Sequence, residues 1–397
     1  MSGTLRLLTF STLYPNAAQP THGVFVETRL RQLLAGGAAA GTVLAPVPWF
    51  PFASPRFGAW AIFARVPRAE TRHGIALYHP RYPVIPRVGM SLAPWLLYRA
   101  MLPALRRLMA AGLAFDAIDA HYVYPDGVAA VWLGRAVGKP VVITARGTDV
   151  NLIPCYAIPR RLIQGAIVGA AALVTVSSAL REALLALGAP PEKVTVLRNG
   201  VDTALFHPPE DRAAARAALG LSGPTLISVG HLIERKGHHL AIEALAALPG
   251  WTLLVVGEGP ERPRLAALAA RLGVAERVRL LGERPQADLP ALYGAADALV
   301  LASSREGWAN VLLEAMACGT PVVASDIWGN PEVVRAPEAG VIVPRTAAGI
   351  VAGATHLAEA PPDRAATRAY AEGFGWEETT AGQVALFRRV VAERAAR

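Results

Sequence analysis

Two Rossmann-like α/β domains are the fold that this sequence predicts, and three observations carry the prediction. Strand-length apolar runs alternate with helix-length segments along most of the 397 residues. That alternation is the pattern of parallel sheets covered on both faces. It restarts in the second half, after the polar, proline-bearing stretch Phe206-His-Pro-Pro-Glu-Asp-Arg. Length and composition agree: 53% hydrophobic and 17% charged residues supply sizeable cores, and a chain this long favours two domains.

In the first half, strands are expected at 5–10, 42–46, 117–120, 140–144, 173–176 and 194–197, with helices at 25–34, 93–111, 127–137 and 179–187. In the second half, strands are expected at 225–229, 252–256, 278–281, 298–302 and 321–324, with helices at 238–247, 261–272, 287–295 and 311–318. The polar stretch puts the boundary between 205 and 206, and no solenoid-type repeat is visible. The uncharged run from Leu162 to Leu180 is broken by Gln164, Gly165, Gly169, Thr175, Ser177 and Ser178. It reads as a buried helix followed by a strand, and a membrane span would be more continuously apolar.

Cys155 and Cys318 are the two cysteines, and they form neither a metal spacing nor a disulfide framework. This fits a reducing compartment. The first residues have too short an apolar core for a signal peptide and read as a strand. The net charge of +9 is unevenly spread. Residues 1–205 hold 20 Lys+Arg and 9 Asp+Glu, while 206–397 hold 19 and 21. The halves are therefore expected to meet different partners.

Function is written most clearly around Glu306 and Glu314, in Ser-Ser-Arg-Glu-Gly-Trp-Ala-Asn-Val-Leu-Leu-Glu-Ala-Met-Ala-Cys-Gly-Thr-Pro-Val-Val-Ala-Ser-Asp. A buried strand leads into the Glu306-Gly307 turn. A helix then carries Glu314, Gly319 closes it, and another strand follows. Both carboxylates lie at the C-terminal edge of a parallel sheet, where open α/β sheets bind ligands. The helix start offers free N–H groups and a positive dipole end suited to phosphate. Carboxylates accept from sugar hydroxyls.

This string resembles the donor-site signature of retaining glycosyltransferases of family four, which have the GT-B fold: two Rossmann-like domains with parallel sheets facing across a cleft. The resemblance covers essentially the whole chain. It implies that Glu306 faces the donor sugar and that Glu314 accepts from the ribose hydroxyls, with Gly307, Trp308, Ala309, Asn310 and Val311 around the donor. It also implies domains at 1–205 and 206–375, with a C-terminal helix within 376–397 crossing back onto the first.

Gly230-His-Leu-Ile-Glu-Arg-Lys-Gly sits between a strand and a helix, and a glycine turn with a cation there suits a diphosphate. The resembled family usually reads Gly-Arg-x4-Lys-Gly, with Arg and Lys on the donor pyrophosphate. Lys236 matches. His231 stands where Arg is usual, so Arg235 or His231 is expected to substitute. The chain has only three lysines against 36 arginines, which gives Lys236 extra weight. His121 occupies the place of a family histidine that faces the donor sugar. Gly23 resembles the first-loop glycine. Arg146 is a candidate for holding an acceptor phosphate, and Asp149 for orienting that loop.

No Asp-x-Asp motif, P-loop or Gly-x-Ser-x-Gly elbow is present. No metal or cofactor is therefore expected, and cations together with a helix start must stabilise the leaving diphosphate. The basic half carries no recognised nucleic-acid module. The chemistry implied is transfer of a sugar from a nucleotide diphosphate sugar to a hydroxyl of a glycan, linked to a polyprenyl pyrophosphate, with catalysis resting on Glu306, His121 and Lys236. The competing reading is a nucleotide-sugar epimerase on the same fold. Residues 56–107 hold nine arginines and one acid, Glu70, among prolines and aromatic rings. That mixture suits an anionic membrane surface, so the expected place is cytoplasmic, at the inner face of a membrane.

Overall fold

The computed structural model describes residues 3–58, 60–85 and 89–396. The chain divides into two units, one of Met1–Arg198 with Glu377–Arg397 and one of Asn199–Trp376.

Ten strands belong to the first unit: β1 Leu5–Phe10, β2 Ala39–Leu44, β3 Val47–Pro48, β4 Ala69–Arg72, β5 Ile75–Tyr78, β6 Arg81–Tyr82, β7 Ala117–His121, β8 Val141–Ala145, β9 Ala172–Thr175 and β10 Val194–Val196. Eight form a sheet in the order β10-β9-β8-β7-β1-β2-β5-β4, parallel except at β4. The hairpin joining β4 to β5 was not legible in the sequence. His73 at φ 50 and Gly74 at φ +76 give its two-residue turn a left-handed backbone at both positions, the geometry that folds tight antiparallel pairs. The short pair β3–β6 was also missed.

The helix Glu377–Ala395 belongs to this first unit because of what it buries. Val384, Leu386, Phe387 and Val390 join one core with Leu5, Leu7, Leu33, Ala117, Val142 and Leu197. Losing a side chain such as Phe387 from so closed a core costs about 3–5 kcal/mol.

The second unit holds six parallel strands: β11 Thr225–Val229, β12 Thr252–Val256, β13 Val278–Gly282, β14 Ala298–Leu301, β15 Val322–Ser325 and β16 Gly340–Val343. Their order is β13-β12-β11-β14-β15-β16. The run Gly340–Val343 was not foreseen as a strand, because four residues opened by a glycine carry almost no periodic signal. The division also falls earlier than the expected 205/206. Residues 199–206 are held by the second unit: Val201 N–H donates to Phe374 O, Arg368 donates to the carbonyls of Thr203 and Phe206, and the Phe206 ring meets Tyr293.

Strand order reverses once in each sheet. In the second unit the chain runs outward from β11 in one direction and from β14 in the other, so the loops after these neighbours part and leave a crevice. In the first unit the same happens between β1 and β7. Such switch points at the C-terminal edge are where this architecture holds ligands.

Candidate functional site

The loops after β11 and β14 are stapled together. Ser304 N–H donates to Arg235 O, and Arg235 Nη1 donates to Arg305 O at 2.7 Å. Gly237 makes the approach possible. At φ +73 it turns the chain into the helix His238–Ala246, and a Cβ there would lie 2.0 Å from Ala302 O. Only glycine satisfies both demands.

Three donors converge on one oxygen of Glu306. Lys236 Nζ lies 2.6 Å from Oε1, Ser303 Oγ 2.7 Å and Arg235 Nη1 3.5 Å. Burial pushes this carboxyl up, but Lys236 and Arg235 outweigh it and hold it below the usual carboxylate range. Glu306 is therefore an anion at neutral pH, and its second oxygen has no partner among the described residues. Nearby His238 shares its Nδ1 with Ser228 Oγ at 2.9 Å, and burial, with the Lys236 charge, lowers it to about 4. The positive charge beside Glu306 thus comes from Lys236 and Arg235. His231, the other expected substitute for the family's arginine, is exposed. Lys236 packs its stem over Gly230, 3.4 Å from where a Cβ would stand.

Glu314 sits on the helix Asn310–Ala317, whose first turn has no side-chain cap. Tyr293 donates to its Oε2 at 2.9 Å, and Oε1 is left open. Burial pushes this carboxyl up to about 7, against the Tyr293 hydrogen bond and the Lys236 charge. Two carboxylates in one crevice thus differ because Lys236 and Arg235 contact Glu306 directly, while Glu314 has only the neutral Tyr293 in contact and the Lys236 charge at a distance. Gly307, Trp308 and Ala309 are buried in the turn. The Trp308 ring turns inward, donating Nε1–H to Asn199 O at 3.1 Å, and Asn310 Oδ1 accepts from Asn199. Ser303 and Tyr293 were not foreseen. Neither was Arg345, which donates to Ala302 O at the same strand end. Tyr293 and Arg345 reach the site from distant elements, so no local signal marks them.

At the switch point of the first unit, His121 ends β7 fully buried. Arg146 Nη2 lies 2.7 Å from its Nδ1, and Asp119 Oδ2 3.2 Å from its Nε2. Arginine only donates, so Nδ1 accepts and Nε2 carries the proton. Burial lowers the ring below its ordinary value, so it is neutral. Both ring nitrogens are engaged within the unit. Arg146 also lies over the Phe25 ring at 5.2 Å, and burial lowers it to about 10. Asp149 accepts backbone N–H groups from Val123, Arg146 and Gly147, which fixes the loop that carries Arg146. Gly23, at φ +75, starts the helix Val24–Ala35 in contact with the Leu13 backbone.

Comparison with known proteins agrees with this arrangement. Residues 209–374 match the family described as glycosyl transferases group 1, and residues 59–205 match Glycosyltransferase Family 4. A D-inositol 3-phosphate glycosyltransferase of Mycobacterium tuberculosis is 36% identical over 236 residues, 56% of this chain and 49% of that protein. The chain thus spans about half the length of the curated relatives it matches. Among solved structures, a sucrose-phosphate synthase from Thermosynechococcus elongatus superposes with a TM-score of 0.78 at 21% identity, over 98% of this chain and 100% of that one. Anabaena Alr3699/HepE in complex with UDP-glucose gives 0.71 at 21% identity, over 99% and 100%. These structures share the fold, two Rossmann-like domains of the GT-B type.

Proposed function

The chain belongs to the family-four-like glycosyltransferases of GT-B fold, and on that premise we propose that it moves a hexose from a nucleotide diphosphate sugar to a hydroxyl of a lipid-linked glycan in envelope or exopolysaccharide synthesis. The observation that carries the proposal is the convergence of Lys236, Arg235 and Ser303 on Glu306, beside the uncapped helix start that leads to Glu314. The relative solved with UDP-glucose supports a nucleotide sugar as donor.

In this reading the diphosphate lies between the uncapped N–H groups of the helix Asn310–Ala317 and the charges of Lys236 and Arg235. Glu314 accepts from the ribose. Glu306, kept anionic, faces the donor sugar. In this reading Glu306 stabilises charge on the sugar and is not the nucleophile, and attack comes from the front side with retained configuration. As the bond to the sugar breaks, charge grows on the departing phosphate, and fixed cations stabilise that charge without a metal. The departing oxygen takes the acceptor's proton. In the first unit, burial and the Arg146 charge keep His121 neutral against the opposing pull of Asp119. The epimerase reading finds no support, since both matched families are glycosyl transferases.

Exposure supports the proposed partner surface. Among the described residues, ten of the twelve large apolar side chains most open to solvent belong to the first unit, including Trp49, Phe52, Leu92, Trp95, Ile158 and Val168. Around them Arg56, Arg65, Arg68, Arg99, Arg106, Arg107, Arg160 and Arg161 have no ion-pair partner among the described residues. Glu70, the one acid of that stretch, is taken by His79 at 2.8 Å. Rings with uncompensated guanidinium groups suit an anionic lipid surface. Among the described residues, no helix is long and apolar enough to cross a membrane. The proposal is tested by a binding screen of nucleoside diphosphates followed by turnover with a polyprenyl-linked acceptor. Absence of any nucleotide binding would remove its basis.

A further inference from the structure

The first unit carries a second feature at its C-terminal edge. A cavity of 220 Å³ opens where β1, β2 and β5 end, walled by Asn16, Gln19, His22, Pro48, Phe63 and Tyr82 among others. It is smaller than the roughly 300–1,000 Å³ of sites for drug-sized ligands, so it suits one ring rather than an extended chain.

The charge of the wall is its most informative property. Among the described residues, no lysine, arginine, aspartate or glutamate lines the cavity, although the surrounding segment is the most arginine-rich of the chain. Arg81, next to Tyr82, is turned to the carbonyls of His79 and Val66. Arg72 is held by Glu27 at 2.8 Å.

His79 in the wall is spent on Glu70 and the Ala45 carbonyl, and Thr12 on Asp126; the polar atoms left open are of both kinds. Asn16 Oδ1 accepts N–H groups from Ala18 at 3.1 Å and Gln19 at 2.9 Å, which fixes the amide and leaves its Nδ2 donors unspent. His22 Nε2 faces the carbonyl of Thr12 at 3.2 Å, so it carries the proton and Nδ1 is an acceptor. The Tyr82 hydroxyl, which both donates and accepts, has no partner among the described residues. Phe63, Pro46, Val47 and Pro48 complete an apolar side. A sugar ring matches this set, because its hydroxyls donate and accept while its C–H face is apolar. A phosphate does not, because it only accepts and its charge would be left without a cation.

We infer that this cavity seats an uncharged sugar ring of the acceptor, with Asn16, His22 and Tyr82 selecting hydroxyls over phosphates. The inference rests on the transferase reading and adds to it the class of acceptor.

Binding to the full chain, saturated with a nucleoside diphosphate, is measured by saturation-transfer NMR. The probes are the methyl glycosides of glucose, mannose and galactose and the 6-phosphates of the same sugars. At least one glycoside should bind, with its phosphate at least about tenfold weaker. Asn16→Asp keeps the oxygen that holds the loop but replaces the free donor with an acceptor, and Tyr82→Phe removes only the hydroxyl. Each should weaken the glycoside about two- to tenfold and leave nucleoside diphosphate affinity unchanged. Phosphates binding as well as glycosides would overturn the inference, as would glycoside binding indifferent to both substitutions, or no glycoside binding in a chain that binds nucleotide. A wild-type chain that binds no nucleoside diphosphate would instead count against the transferase reading itself.

Discussion

Lys236 and Glu306 meet at 2.6 Å although 70 residues separate them in sequence. The contact ties the loop after β11 to the loop after β14 at the place where strand order reverses. It also decides the chemistry of the crevice, since it keeps one carboxylate ionised beside a fixed cation.

Removing that cation should harm turnover more than ground-state binding. Charge builds on the diphosphate only as the sugar leaves, so Lys236→Ala should lower kcat more than it raises KM for the nucleotide sugar. The acid limb of the pH–rate profile should also move upward, because Glu306 loses the partner that holds it below the usual carboxylate range. An unchanged acid limb would separate Glu306 from Lys236.

Glu314 should report through the nucleotide. Glu314→Ala should leave the fold intact and weaken nucleoside diphosphate binding by about 1.5–3 kcal/mol, the range for hydrogen bonds to charged groups. Calorimetry on the folded variant checks this, and unchanged affinity would remove the ribose assignment.

The same carboxyl gives a pH dependence of definite sign. Its value in the fold is about 7, above the ordinary 4.5. It therefore holds its proton below pH 7 in the free protein and becomes the better acceptor above it. Affinity for a nucleotide sugar should rise between pH 6 and 8 and be flat in Glu314→Gln. Because the fold raises this value, the group's contribution to stability is largest at low pH and declines as pH rises from about 4.5 to about 7.

Gly237 should not tolerate a side chain. Alanine would have to adopt φ +73 with its Cβ 2.0 Å from Ala302 O. Strain of the backbone alone costs about 1–3 kcal/mol. Urea unfolding should show Gly237→Ala destabilised by at least that much, with nucleotide binding reduced as the two loops part.

The arginine-rich face predicts a salt-sensitive membrane interaction. Each arginine near an anionic surface contributes about 1 kcal/mol, screened by salt, while inserted rings add an apolar part that salt does not remove. Anionic vesicles should bind the protein, neutral ones much less, and Arg106→Glu with Arg107→Glu should weaken binding. Arg87 belongs to the same stretch but lies outside the described residues. Equal binding of wild type and double variant would show that these arginines only solvate a structural face.

The crevice between the loops after β11 and β14 was legible because its parts are contiguous in sequence. Glu306, Gly307 and Glu314 follow one strand in one strand–turn–helix string, and Lys236 follows another strand with its glycine. The strands β11 to β15 were legible for the same reason, as continuous apolar runs. What the sequence hid are contacts between distant elements. Tyr293 completes Glu314 from another helix, but a tyrosine in a buried helix is everywhere; Ser303 is local to Glu306, yet a serine after a strand is too common to mark it. The engagement of both His121 nitrogens could not be read either: Asp119 lies two residues before it on β7, but Arg146 meets it only once β7 and β8 pair. The neutral cavity beside Asn16 and Tyr82 was hidden beneath the arginine-rich composition around it, because composition does not say which way side chains turn.

Acceptor-dependent release of nucleoside diphosphate tests the central claim most directly. The full chain is given a panel of nucleotide sugars, with and without a polyprenyl-linked glycan acceptor, in the presence of EDTA. The account predicts release from one donor, only when acceptor is present, undiminished by EDTA and lost in a Lys236→Ala, Glu306→Gln double variant. No release with any donor, or release that the double variant matches, would contradict it.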